Sequence, residues 1–454
     1  MSIETSFDDR SPVSSSDSIF EMTESNKVPP NLKFERCAPR YMPILARVGQ
    51  KPSRSQEPRI LIAHPGRQHS HQAALALLEA GMLGCYATGV PVSRQQLGRP
   101  WNGLVRQLSV YEEIDIPLHL TRLNMVAPVV NRLLARYLPT FVVGPIQYET
   151  ERVFDRWVAG LVARDQFDGV IAYENSALYT FQAAKKIGAR CILDAASLHR
   201  AEADRRYDSG LPSIYKTRVD SLKDREVALA DCILATSDLA ADSYRTNIGP
   251  EKSVKTVCLG VDTTRFHPSS ELKISSMPDE LFTFAFVGAG TIRKGFDFIL
   301  DAMEKLLSEG LSFRLSVAGI IDQSLLSGRE RLLNNITEHG MVSHHDLPSV
   351  LNAAQCLLLP SRFDSFGLVI PEALACGVPV IVSDMVGAKQ LIQEGGNGFI
   401  VPVGDHESLE QRMRWCIAHP GLLRRMSIEA RAAAEQLSWG AYRQRLTAAI
   451  REIL

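Results

Sequence analysis

No C-x-x-C pair, no run of 18 apolar residues and no surplus of either charge occurs in this 454-residue chain, and each absence removes a class of protein. The eight cysteines (Cys37, Cys85, Cys191, Cys232, Cys258, Cys356, Cys376, Cys416) are scattered, several inside apparent strands. That pattern reads as reduced, buried thiols rather than a disulfide framework or a zinc site. Without a long apolar run no spanning helix is expected. Without an apolar stretch after Met-Ser-Ile-Glu-Thr no secretory signal is expected, so the expected location is cytoplasmic. Fifty basic against 51 acidic residues, a formal charge of −1, offer no footing for nucleic acid. What is present, 45% hydrophobic and 22% charged residues, is ordinary for a globular protein, and the length suits two domains of about 150–200 residues.

Residues 1–57 differ from the rest. Residues 1–27 are rich in Ser and acidic residues and 28–57 in Pro with a basic excess, which predicts a mostly disordered arm. Order is expected from Arg59, where Arg59-Ile-Leu-Ile-Ala-His64 reads as a strand. The turn Pro65-Gly66-Arg67-Gln68 follows, and then a helix from His69 to Glu79 ended by Gly81. Strand, glycine turn and helix N-terminus together make a phosphate-friendly opening to a Rossmann-like domain. The beat repeats in strands at 169–174, 190–194 and 232–236, with helices at 177–187 and 214–230. Residues 95–165 read as mostly helical. Within them, 122–142 mixes Arg122, Arg132 and Arg136 with Leu133, Leu134, Tyr137, Leu138 and Phe141. That stretch reads either as an interfacial face that meets a membrane or as an ordinary core helix, and Pro128 and Pro139 weaken a single helix. A loop-like connector near 262–282 ends the first series. A second starts with the strand Thr283-Phe-Ala-Phe-Val-Gly288 and a helix from Lys294 to Leu307, and the tail 438–454 reads as an amphipathic helix.

The richest stretch is 360–377, Pro-Ser-Arg-Phe-Asp-Ser-Phe-Gly-Leu-Val-Ile-Pro-Glu-Ala-Leu-Ala-Cys-Gly. Cys356–Pro360 reads as a buried parallel strand and Phe366–Ala375 as a helix. On that reading Asp364 lies in the strand-to-helix loop and Glu372 two turns into the helix. Such loops are where open α/β sheets bind ligands. A carboxylate there is a strong acceptor for sugar or ribose hydroxyls, and the turn Ser365-Phe366-Gly367-Leu368 offers backbone N–H groups. The loop Gly288-Ala-Gly-Thr-Ile-Arg-Lys-Gly295 adds close backbone approach at Gly288 and Gly290, then the adjacent cations Arg293 and Lys294. Fixed cations stabilise the charge that develops on a departing diphosphate.

With these motifs in this order, the chain resembles the retaining glycosyltransferases of family four, group 1, in the GT-B architecture. The resemblance covers about 59–454 and is strongest over 226–440. Its carriers are Glu226-Val-Ala-Leu-Ala-Asp-Cys-Ile-Leu-Ala-Thr-Ser237, Leu259-Gly-Val-Asp-Thr-Thr-Arg-Phe-His-Pro268, the 286–295 loop, the 360–377 string and Gly396-Asn-Gly-Phe-Ile-Val-Pro402. It implies an α/β fold of two Rossmann-like domains facing across a cleft, 58–265 on the acceptor side and 282–437 on the nucleotide-sugar side. The C-terminal helix, 438–454, would pack back toward the first domain.

The family's Glu-x7-Glu motif falls on Asp364, which would reach the donor sugar, and on Glu372, which would hold the ribose. Its diphosphate-binding Arg and Lys fall on Ala289 and Lys294, with Arg293 able to replace the missing charge. The first glycine turn falls on Gly66, with Arg67 beside it. A sugar-contacting His falls near Tyr173, so Tyr173 with Glu174, or His199 from the next turn, would shape that side of the pocket. The resemblance implies a nucleotide-sugar donor, a glycan or lipid-linked acceptor with peripheral contact at the inner membrane face, no metal and no further cofactor. A nucleotide-sugar 2-epimerase and a non-catalytic sugar-nucleotide-binding scaffold stay open beside the transferase.

Overall fold

The computed structural model describes residues 57–93, 96, 114–135, 140–206, 213–269 and 281–454; the expected arm, apart from Glu57, lies outside them, as do Arg136, Tyr137 and Leu138 of the 122–142 stretch. Two parallel sheets organise the chain. The first holds β1 (Ile60–His64), β2 (Leu83–Thr88), β3 (Thr121–Leu123), β4 (Gly169–Tyr173), β5 (Arg190–Ala195), β6 (Cys232–Ala235) and β7 (Ser253–Thr256), in the order β3-β2-β1-β4-β5-β6-β7. The second holds β8 (Phe282–Val287), β9 (Phe313–Ala318), β10 (Ile336–Gly340), β11 (Cys356–Leu359), β12 (Val380–Ser383) and β13 (Gly398–Val401), in the order β10-β9-β8-β11-β12-β13. Strands covered by helices on both faces read as unbroken apolar runs, and β1, β4, β11 and β12 are buried at every position.

In each sheet the strand order reverses once, between β1 and β4 and between β8 and β11. Ligands of open α/β sheets bind beyond the carboxyl ends of the strands at that reversal. Gly66 and Tyr173 follow or end the first pair; Gly288 and the loop holding Asp364 follow the second.

The flanking helices are α1 (Ser70–Glu79), α2 (Val126–Ala135), α3 (Thr140–Val162), α4 (Leu178–Lys186), α5 (Arg200–Arg206), α6 (Ser213–Leu229) and α7 (Asp238–Ile248) around the first sheet. Around the second are α8 (Phe296–Ser308), α9 (Leu347–Asn352), α10 (Val369–Ala375), α11 (His406–Ala418) and α12 (Pro420–Glu435). The last helix, α13 (Trp439–Ile453), buries Tyr442, Leu446 and Ile450 at helical spacing and returns to α1. Arg443 bonds Glu79 at 2.9 Å and Gln72 at 2.8 Å. The chain crosses between the sheets at 257–269, where the Val261 N–H donates to the Leu437 carbonyl. The Arg431 guanidinium binds the carbonyls of Thr263, Phe266 and Ala375.

Three local expectations need correction. The stretch between 95 and 165 also contains β3, a three-residue edge strand whose exposed Arg122 gives no apolar run to read. The helix expected from Lys294 starts at Phe296. Ile292–Lys294 is a separate 3-10 turn, closed by Gly295 at φ 69°, where a Cβ would stand 2.0 Å from the Pro360 carbonyl oxygen. The helix expected from Phe366 starts at Val369, because Gly367 at φ 86° breaks it and the Phe366 carbonyl is taken by the Ala388 N–H at 2.7 Å. Glu372 therefore sits in the first turn of α10, not the second.

Candidate functional site

Four strand ends of the second sheet meet in one polar region. From the β8 loop, Gly288 at φ 131° lies under Gly319, whose Cβ would stand 1.8 Å from the Gly288 carbonyl oxygen. Gly290 donates to the Ile320 carbonyl. Such close backbone passage fits residues without side chains. The 3-10 turn then delivers Lys294 to Asp364, with which it forms a half-buried ion pair. Arg293 lies over the Phe363 ring, 5.6 Å from its centroid. Asp364 itself is fixed by backbone bonds, its N–H to Met385 and its carbonyl to Gly387 N–H, both 2.9 Å.

Glu372 is 9% exposed, and burial pushes its carboxyl up from the usual range, opposed by His344 and then Arg265. Its Oε1 lies 2.9 Å from His344 Nε2, and His344 Nδ1 lies 2.8 Å from Arg265 Nη1. Exposed apolar side chains ring the same strand ends: Ile292 after β8, Ile320 after β9, Met341 after β10 and Leu368 before α10.

The first sheet reaches this region through the segments that follow β5 and β6. Ser365 Oγ donates to the Ala196 carbonyl at 2.6 Å, and the Ser365 carbonyl accepts from Ser237 Oγ at 2.5 Å. Ser197, next in the chain, donates to Glu174 Oε2 at 2.6 Å, while Tyr244 donates to the other Glu174 oxygen at 2.6 Å. Phe363 packs against the small cluster of Leu198, Ala235, Ala240 and Ala241. Asp364, Ser365 and Glu174 are thereby linked across the two sheets.

Other expected residues are engaged in the first sheet's own structure. The Gly66 N–H donates to His64 Nδ1 at 2.8 Å, and burial holds that ring neutral, its pKa lowered to about 4. The Arg67 carbonyl accepts from Ser70, and Arg67 lines a small crevice with Tyr86 and Thr88. Tyr173 is buried, edge-on to His64 and His69, and burial followed by the charge of Asp194 pushes its hydroxyl well up. His199 is buried against Tyr244, its Nδ1 accepting from the Ala201 N–H, and burial lowers its pKa. Phe366 is buried under the 366–368 turn, and Leu368 is exposed.

Sequence reasoning missed His344 and Arg265 at Glu372, and the buried His69–Asp194 bond of 2.9 Å beneath the Gly66 turn. His64, His69 and Asp194 all fall at the carboxyl end of a strand or the start of the next helix, and that position was the available signal. Among the described residues no group of three or more His, Cys, Asp or Glu is disposed to hold a metal ion.

Residues 270–433 match the family model described as Glycosyl transferases group 1. Over 232 residues the chain is 30% identical to a D-inositol 3-phosphate glycosyltransferase of Streptomyces bingchenggensis, covering 47% of this chain and 51% of that protein. The chain thus spans about half the length of the curated relatives it matches. Among solved structures it is similar to sucrose-phosphate synthase of Thermosynechococcus elongatus, with a TM-score of 0.67 and 18% identity over 87% of this chain and 99% of that one. Anabaena HepE in complex with UDP-glucose gives a TM-score of 0.60 and 16% identity over 87% and 100%. At those identities the likeness is one of fold, and the fold is GT-B.

Proposed function

We infer that this chain, whose residues 270–433 belong to the group 1 glycosyltransferases, moves a sugar from a nucleoside-diphosphate donor to a hydroxyl of a glycan, glycolipid or small-molecule acceptor. The observation that carries the reading is the Lys294–Asp364 ion pair at the reversal of the second sheet, with Glu372 in the first turn of the helix that follows. Solved relatives of the same fold hold UDP or UDP-glucose, which supports a nucleotide-sugar donor.

In this reading Glu372 accepts hydrogen bonds from the ribose hydroxyls and Asp364 faces the donor sugar. The exposed Ile320 and Met341 give the base an apolar contact. Gly288, Gly290 and the Ser365–Leu368 turn border the diphosphate. Lys294 turns from Asp364 to the diphosphate when donor binds, and Arg293 adds charge beside it. The acceptor hydroxyl approaches from the first sheet, on the face the diphosphate leaves. The anomeric carbon–phosphate oxygen bond breaks, the acceptor oxygen bonds to that carbon on the same face, and the hydroxyl proton passes to the leaving phosphate oxygen. Configuration is retained. Charge stabilisation by fixed cations and positioning of the two reactants supply the acceleration, and closure of the two halves over the donor suppresses its hydrolysis. Because the charge is met by Lys294 and Arg293, transfer proceeds without a metal.

The test is a transfer assay with a panel of nucleotide-sugars and hydroxyl acceptors, with the anomeric configuration of product read by NMR and a chelator in a parallel arm. Transfer with retention, unaffected by chelator, is expected. Altered sugar without acceptor would identify an epimerase. Donor binding without transfer or slow hydrolysis would identify a scaffold.

A further inference from the structure

Glu372 does not stand alone. Its Oε1 meets His344 Nε2, and the same ring's Nδ1 meets Arg265, which belongs to the segment crossing between the sheets. An arginine only donates hydrogen bonds. His344 Nδ1 is therefore the acceptor, the ring proton sits on Nε2, and that N–H points at the Glu372 carboxylate. Phe266 holds the imidazole edge-on, with ring centroids 5.0 Å apart. Arg265 is itself anchored, its backbone N–H donating to Asp262 Oδ1 at 3.1 Å.

We propose that Arg265, acting through His344, orients the Glu372 carboxylate and leaves its Oε2 free for the ribose hydroxyls of a nucleotide donor. His344 and Arg265 are then positioning residues that set donor affinity. The inference rests on the nucleotide-sugar reading given above.

Other charged and titratable groups lie on the elements that carry these residues or pack against them. Cys376 on the same helix is a thiol pushed up to about 12 by burial and then by Glu372. Arg431 from α12 binds the Ala375 carbonyl. Asp262 lies 3.9 Å from Arg265, and His345 and Asp346 follow His344 in the exposed loop. Only His344 makes a hydrogen bond to the carboxylate side chain among the described residues. A buried carboxyl is pushed toward its neutral form, and a donor with a cation behind it pulls it back toward the ionised form that accepts two hydroxyls.

The test uses the full chain with UDP, and with GDP and ADP in parallel, across pH 5–8.5. His344→Ala is expected to weaken nucleoside diphosphate binding at least tenfold and to move its acid limb to higher pH. His344→Gln keeps an acceptor for Arg265 and a donor for Glu372, so it is expected to restore most of the affinity and return the acid limb toward that of the wild type. Adding His344→Ala to Glu372→Ala is expected to change nothing further. Equal affinity and an identical pH profile for wild type and His344→Ala overturn the inference. If no diphosphate binds the wild type, the nucleotide reading fails separately. The relay is then read from carbon-13 carboxyl NMR, with the Glu372 signal assigned by its loss in Glu372→Gln. A Glu372 titration shifted upward by His344→Ala supports the relay, and an unshifted one overturns it.

Discussion

Two carboxylates eight positions apart have different surroundings, and the difference sets their roles. Asp364 is shared with Lys294, whereas Glu372 is buried and meets one histidine donor. Replacing Glu372 by Ala should weaken donor and free nucleoside diphosphate together, because both carry the ribose. Loss of charged hydrogen bonds of about 1.5–3 kcal/mol corresponds to roughly ten- to hundredfold, measurable by calorimetric titration. Since the ionised form accepts the hydroxyls and burial raises this carboxyl, nucleotide affinity should fall as pH drops through its raised pKa. Lys294 makes a different prediction. If it meets charge that grows as the diphosphate departs, Lys294→Ala should lower kcat more than it raises KM for donor, and steady-state kinetics would show it. A pure KM effect would limit Lys294 to ground-state binding. Arg293→Ala should resemble it, provided the Arg293 guanidinium leaves the Phe363 ring for the diphosphate.

At the scale of elements, the glycines that end strands decide where the side chains point. Gly295 lies at φ 69° against the Pro360 carbonyl, so Gly295→Ala must move either the 3-10 turn or β11. A non-glycine residue in that conformation costs about 1–2 kcal/mol before any clash is counted. The variant should unfold at lower denaturant and lose the Lys294 contact. Glu226, in the motif that precedes β6, is fully buried and accepts from the N–H groups of Asn175 and Ala177, both at 2.9 Å. Asn175 has a left-handed backbone, φ 70°, which this carboxyl helps to hold. Burial raises its pKa from 4.5 to about 8, so between those values the folded chain binds more protons than the unfolded one. Its contribution to stability is therefore full below about pH 4.5 and is lost as pH rises through about 8. Urea unfolding of wild type and Glu226→Gln at pH 5 and pH 9 should show the wild type losing ground to the variant at high pH. Parallel pH dependence in the two would contradict this.

Strands and their glycine loops were legible because buried parallel strands are continuous apolar runs, as in Cys356–Leu359 and Val380–Ser383. Helix starts were less so. Whether Phe366 opens a helix depends on Ala388, twenty-two residues later, taking its carbonyl. The carboxylates and Lys294 were legible by spacing. His344 and Arg265 were not, because their contacts with Glu372 and with each other join positions 28 and 79 residues apart. The Ser365–Ala196 bond spans 169 residues and appears only once the sheets meet.

Across the whole molecule, the two sheets are joined by the crossing segment 257–269, by the return of α13 to α1 and by the Ser365 contacts. No helix among the described residues is long and apolar enough to cross a membrane. The α2 helix, Val126–Ala135, exposes Val126 and Leu133, and Arg122 precedes it on β3. With a lipid-linked acceptor, this side of the first sheet should bind anionic vesicles weakly. Basic residues near such a surface contribute about 1 kcal/mol each and are screened by salt. Co-sedimentation should be partial at low ionic strength, absent at high, and weaker with neutral lipid. Equal, negligible sedimentation in every condition would assign α2 to the fold alone and favour an acceptor free in solution.

The central claim, that the carboxyl ends of β8 and β11 hold a nucleotide-sugar through Glu372, is tested most directly by thermal unfolding with a panel of nucleoside diphosphates and nucleotide-sugars, on wild type and Glu372→Ala. A ligand present at about 100 times its dissociation constant stabilises by about 2.7 kcal/mol. The account predicts that at least one nucleotide and its sugar conjugate raise the unfolding temperature of the wild type, and that Glu372→Ala, folded, loses most of that rise. No response to any member of the panel, or an equal response in the variant, would contradict it.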